Sequence, residues 1–117
     1  MKFMSKRSNL ERIQDILNAI DLIDEILQDK TEQDFVSSIV LQSAIQFQFL
    51  IIGEAVSGVD FYILKKYDYP WHLPKSFRNF IIHEYHEVDI RKVYYSKDSL
   101  PQLRVVCICI ESDLKSK

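Results

Sequence analysis

Ile13, Ile16, Leu17, Ile20, Ile23 and Leu27 recur at the spacing of one helix face, while Asp15, Asp21 and Glu25 fall outside it. Ser8-Asn9-Leu10-Glu11 precedes the stripe in the form of a capping box, in which the Ser8 and Glu11 side chains each reach the other's backbone amide. The pattern predicts a first helix from Ser8 to Gln28–Lys30. Thr31 and Asp34 repeat the cap signal and open a segment that runs to about Ser57. Ile45-Gln46-Phe47-Gln48-Phe49 alternates as a strand does, yet no turn residue interrupts Thr31 to Ile52, and strands of that length are rare. Two helical stripes coexist there: Ile45, Phe49, Ile52 and Val56, and Val40, Ala44, Phe47 and Ile51. A helix apolar on two sides is buried on two sides. It is either the central helix of a bundle or one that packs into both its own core and a partner subunit.

Asp60 to Tyr67 predicts a helical turn or two, and Asp68 to Trp71 a loop in which Pro70 holds Tyr69 extended. A further helix starts near Leu73 or Pro74, where proline's missing amide is harmless, and runs to about His83–Tyr85. Asp89 to Tyr95 reads as another short helix. Ser99 is placed to cap the last one, with Pro101 in its first turn and Leu103, Val106, Cys107, Ile110 and Leu114 as its stripe. The β-branched run from Val105 to Ile108 pulls against that helix. Together these elements form an all-α, up-and-down bundle of four to five helices with short connectors, a single domain over residues 1–117.

Composition supports helices: two glycines and three prolines are too few for the turns of a sandwich or barrel. Lys2, Lys6 and Arg7 are followed by no apolar signal-peptide region. The best candidate for a membrane span, Phe47 to Ile52, is six residues. A cytoplasmic protein without membrane contact is expected. Cys107 and Cys109 would point about 200° apart on a helix, which favours two reduced, packed thiols over a disulfide or a metal pair. The net charge of −2 excludes a protein that coats nucleic acid through a basic surface. Nucleic-acid chemistry therefore needs a local site, which two subunits can assemble.

The helix from Leu73 to His86 carries the candidate chemistry. At about 100° per residue, Lys75, Arg78, Asn79, Ile82, His83, Tyr85 and His86 share one side, and Phe77, Phe80 and Ile81 the other. Solvated helix faces are usually Glu and Lys; this one gathers Arg, His, Asn and Tyr. Arginine offers a fork of donors matched to phosphate oxygens, and histidine moves protons near neutrality. Those are the tools RNA needs to cleave itself: removal of the 2′-hydroxyl proton and stabilisation of charge on the phosphorane. No glycine-rich phosphate loop, zinc spacing or nucleophile elbow competes. Arg78 and His83 lie about 140° apart on a continuous helix. Either the helix ends before His83, or the arginine and histidine sites are completed across a dimer. Glu54, in the middle of the apolar helix, reads as a buried carboxylate paired for structural reasons. His86 reads as a surface residue.

Arg78-Asn79-Phe80-Ile81-Ile82-His83-Glu84-Tyr85 resembles the Arg-x4-His-x-Tyr motif of HepT-like toxins in the HEPN superfamily. Ile51-Ile52-Gly53-Glu54-Ala55 is similar to that family's central-helix stretch, Pro70-Trp71 to the pair before its motif helix, and Val88-Asp89 and Leu100-Pro101 to later pairs. The resemblance runs from about Asp15 to Leu114 and implies a HEPN-like helical bundle. It implies a homodimeric, metal-independent endoribonuclease toxin that needs no cofactor and acts on an RNA substrate. Arg78 and His83 would be catalytic and Asn79 supporting. A partner nucleotidyltransferase antitoxin would transfer AMP to Tyr85. The runner-up is a non-catalytic helical subunit of a nucleotidyltransferase, and a third reading is a structural dimer with a decayed site.

Overall fold

The structure, a computed structural model, describes residues 7–83 and 88–117. Every regular element among them is helical: α1 (Asn9–Leu27), α2 (Glu32–Val36), α3 (Ile39–Gly58), α4 (Phe61–Leu64), α5 (His72–His83), α6 (Ile90–Ser96) and α7 (Leu100–Lys115), with a 3₁₀ turn (Lys97–Ser99) leading into α7. The β-branched run from Val105 is helical because Leu100, Leu103, Cys107 and Ile110 repeat on a face that the core covers completely.

Both predicted capping boxes form. Glu11 accepts from the Ser8 amide at 3.0 Å and Asp34 from the Thr31 amide at 2.9 Å, and these backbone bonds hold both carboxyls below their usual range. Between the boxes, Asp29 takes a left-handed φ of 62°, which short polar residues tolerate, and turns the chain from α1 toward α2.

Thr31 to Ser57 is not one segment. Ser38 leaves helical geometry at φ −122°, ψ 108°, and its hydroxyl accepts from the Leu41 amide at 3.1 Å, so α3 starts afresh. The Gln42 side chain closes the corner on the carbonyls of Phe35 and Val36. The gain is the placement of Phe35, which is fully buried against Tyr94 with ring centroids 5.6 Å apart. Ser99 likewise differs from expectation. It is helical itself, donates to the Ser96 carbonyl at 2.9 Å and caps nothing. The 3₁₀ turn feeds straight into α7, whose Pro101 sits where an amide has no partner anyway.

The helix α3 is central, packed by α1, α5, α2 and α6, while α7 closes over α1. Its stripe of Ile45, Phe49, Ile52 and Val56 is buried with Ile13, Ile16, Ile20 and Ile23 of α1. Its second stripe is only partly covered by the described residues: Val40 is three-quarters and Phe47 half exposed, while Ala44 and Ile51 are partly buried. With a mean hydropathy of 1.6 over its window, α3 is long and apolar enough to cross a membrane by length and composition alone. Reading continuous runs hid this, because Gln42, Ser43, Gln46 and Gln48 divide the apolar residues without lowering the average far.

Among the described residues no charged side chain is buried, and the core is built mainly of aliphatic and aromatic side chains. Cys107 belongs to it, and burial pushes its thiol up to about 12. Cys109 is exposed, contrary to the expectation of two packed thiols. The two residues between α7's core positions simply turn it away.

Candidate active site

The site begins with a missing side chain. A Cβ added at Gly53 would lie 2.5 Å from Arg78 Cβ and 2.9 Å from the Pro74 carbonyl oxygen. Only glycine lets α5 lie this close to α3, and the closeness lays the Arg78 side chain along the surface of α3. There its Nη1 pairs with Glu54 Oε2 and also donates to Ser57 Oγ at 3.3 Å. The Nε and Nη2 donors both reach Asn79 Oδ1, at 3.2 and 3.0 Å. Arg78 is thus a fixed, three-partner guanidinium whose side chain is 21% exposed.

Glu54 is not the buried carboxylate expected from its place in an apolar helix. Its side chain is 51% exposed, because it sits at the edge where α5 meets α3. The expected pairing is present, and the partner is Arg78. Ser57, which sequence reasoning missed, completes the group. The legible signal was Gly53 and Ser57 four residues apart in an otherwise apolar helix, a spacing that puts small residues on one face.

His83 is exposed on the last described turn of α5 and makes no side-chain hydrogen bond to a described residue. The helix does not end before it. Arg78 and His83 are therefore separated by about 7.5 Å of rise and about 140° of turn, and one chain does not bring them together. Tyr85 and His86 lie outside the described residues. Among the described residues, no three His, Cys, Asp or Glu side chains gather to hold a metal.

The two flanks of α5 differ. Beside the polar edge, Phe47 and Leu50 of α3 and Ile81 and Ile82 of α5 line an open apolar depression. On the far flank, a cavity of about 310 Å³ is lined by Phe49, Phe77, Phe80, Leu100 and Leu103. Its polar lining is Tyr69, Ser76, Ser96, Ser99 and Lys92, whose ammonium sits 4.5 Å over the Phe80 ring, and neither an arginine nor a histidine faces it. The arginine edge offers an oxyanion a planar guanidinium on a histidine-bearing helix; the cavity offers no such pair.

Comparison with known proteins gives the family of the chain. The family model described as ribonuclease HepT-like matches residues 16–110. Two curated relatives carry provisional ribonuclease names. One, from Thermococcus cleftensis, is named a probable ribonuclease HepT and is 33% identical over 102 residues, 85% of this chain and 92% of the relative. The other, from Methanocaldococcus jannaschii, is named jointly as a gamma-glutamylcyclotransferase and an RNase. It is 35% identical over 101 residues, 85% of this chain, which spans only 46% of that relative's length. No solved structure gives a significant match.

The α3–α5 approach can be tested by its sign. Alanine for glycine inside a helix ordinarily stabilises by up to about 1 kcal/mol. Gly53→Ala is expected to destabilise instead, by about 1–3 kcal/mol, because the methyl has no space beside Arg78 and Pro74. Urea unfolding should show a lower midpoint at unchanged slope; an unchanged or raised midpoint would show that the helices do not touch there.

Proposed function

The chain belongs to the ribonuclease HepT-like family, and on that footing we propose that it is a metal-independent endoribonuclease toxin whose catalytic groups are Arg78 and His83, with Asn79 in support. The observation that carries the reading is the Arg78 guanidinium, fixed at the surface of α5 by Glu54, Ser57 and Asn79 on the same helix as an exposed histidine. In the reaction, His83 takes the proton of an RNA 2′-hydroxyl and the 2′ oxygen bonds to phosphorus. The bond from phosphorus to the 5′ oxygen then breaks. The leaving oxygen receives a proton from the histidine of a second copy, giving a 2′,3′-cyclic phosphate and a free 5′-hydroxyl. Arg78 neutralises the charge that accumulates on the phosphorane oxygens.

Two copies are needed because one helix points Arg78 and His83 apart. The uncovered stripe of α3 supports this arrangement. Val40 and Phe47, with the depression between Phe47 and Ile82, form an apolar surface beside the polar edge of α5. Pairing it with its twin buries the second stripe and brings two motif helices together. Neutralisation follows from chemistry at Tyr85, two residues after His83. A nucleotidyltransferase antitoxin that transfers AMP to its hydroxyl introduces phosphate charge that pairs with Arg78 and occupies the substrate's anion site. The alternative of a non-catalytic partner subunit would leave the exposed histidine and the fixed arginine without a task.

Three outcomes are expected. Sedimentation at tens of micromolar gives a dimer, and Phe47→Glu gives a folded monomer that no longer cleaves RNA; a wild-type monomer would remove the composite site. Arg78→Ala and His83→Ala each lower RNA cleavage at least about 100-fold without loss of fold, while EDTA has no effect; full activity in either variant would show that the mechanism is wrong. After incubation with the antitoxin and ATP, the intact mass rises by AMP units on wild type and not on Tyr85→Phe, which stays toxic. A mass increase that persists in Tyr85→Phe would place the modification elsewhere.

A further inference from the structure

The charge of this chain is unevenly placed. Between Phe61 and Asn79 the sequence carries Lys65, Lys66, Lys75 and Arg78 against a single acid, Asp68, in a protein whose net charge is −2. Phe61, Lys65, Lys66, Asp68 and His72 line one open depression between α4 and the start of α5, so two lysines face a single acid there. Phe61 is 64% exposed, a large apolar ring that the core does not use. Neither Lys65 nor Lys66 is ion-paired with any described residue; the ion pairs among the described residues join other side chains.

The floor of the depression is built firmly. Trp71 is buried, and its indole N–H donates to the Leu64 carbonyl at 2.9 Å, which ties the end of α4 to the entry of α5. The Tyr69 ring packs on Trp71 with centroids 4.8 Å apart. Along the chain the depression lies within two helical turns of the proposed catalytic edge. Ser57, which touches Arg78, lies four residues before Phe61, and His72 lies six residues before Arg78, about 9 Å along α5.

Resting on the RNase reading, we propose that this depression is a track for single-stranded RNA flanking the scissile phosphate. An exposed aromatic ring offers a stacking platform for any unpaired base, and paired lysines beside it hold successive phosphates. A duplex offers no free base face to Phe61, so the track selects unpaired substrate. Lys65 and Lys66 act on binding alone; they touch neither the 2′-hydroxyl nor the reacting phosphate.

The test measures binding apart from cleavage. A fluorescent, uncleavable 2′-O-methyl oligonucleotide of about 12 nucleotides, within the span such tracks cover, is titrated with wild type, Phe61→Ala and the double variant Lys65→Ala/Lys66→Ala. All three residues are exposed, so the fold is kept. Each variant is expected to bind about tenfold more weakly. The double variant should also flatten the slope of log affinity against log salt by about 1.4, two phosphates at about 0.7 each. Cleavage of a dinucleotide, too short to reach the depression, should be equal in all three. Equal affinities at every salt concentration overturn the track, as does failure of wild type to bind. Self-association of the chain that Phe61→Ala removes also overturns it, because the patch is then a protein interface. Weakened binding in the variants, together with no cleavage of any RNA by wild type, keeps the track and removes the RNase reading.

Discussion

Gly53 fixes how near α3 and α5 can lie, and the chemistry proposed for the molecule depends on that distance. With no side chain at this position, the Cβ of Arg78 rests against the backbone of α3, and its guanidinium falls beside the residues one and four positions further along. Glu54 and Ser57 are those residues. A larger residue would lift α5 and leave the arginine free to sample its many rotamers, which costs entropy when it must bind an anion. The carboxylate is half exposed, and that matters as well. A fully buried pair would be expensive to form and costly to break, whereas a solvent-screened pair holds geometry yet yields to a competing phosphate.

The same helix answers two demands at once. One stripe of α3 fills the core with α1; the other, from Val40 to Phe47, faces away from it. Polar residues Gln42, Ser43, Gln46 and Gln48 lie between the stripes and keep either from becoming a continuous apolar sheath. A helix of this composition needs several neighbours, and α1, α2, α5 and α6 supply them on the core side. What stays uncovered lies beside the depression that reaches Ile81 and Ile82 of α5. The surface proposed to pair with a second copy and the edge proposed to carry the chemistry are therefore adjacent.

Most of the fold was legible because the helix starts are written in local code. Ser8 with Glu11 and Thr31 with Asp34 specify caps that depend on neither tertiary context nor neighbours. The corner at Ser38 was not legible, since Ser37-Ser38 resembles any polar pair inside a helix until Phe35 must reach the core. Ser99 misled in the opposite sense: serine before proline is a cap signal, but a preceding 3₁₀ turn had already satisfied the backbone. At the site, the wheel of α5 correctly separated Arg78 from Phe77 and Phe80. It could not give the partner of Glu54, because a helical wheel shows which residues share a face and not which helix comes to meet them. Cys109 failed for a related reason, since an apolar-looking residue beside a stripe is exposed whenever the stripe is narrow.

An arginine already paired with a carboxylate adds little net attraction for RNA, because each phosphate that binds must displace or share with Glu54. The chain as a whole repels polyanions weakly, with a net charge of −2. If Arg78 is kept for the moment of reaction, ground-state affinity has to arise elsewhere. That division suits catalysis, since interactions that strengthen only as charge develops on phosphorus accelerate the step, and uniform grip does not. Lys65 and Lys66 have no ion-pair partner among the described residues, and with Phe61 they lie outside the proposed reacting centre, so in the proposed track they would supply attraction without altering the balance at Arg78. In the proposed track, a local basic strip on an acidic protein would limit where RNA lands, and a strand held there would enter the site from the α4 side.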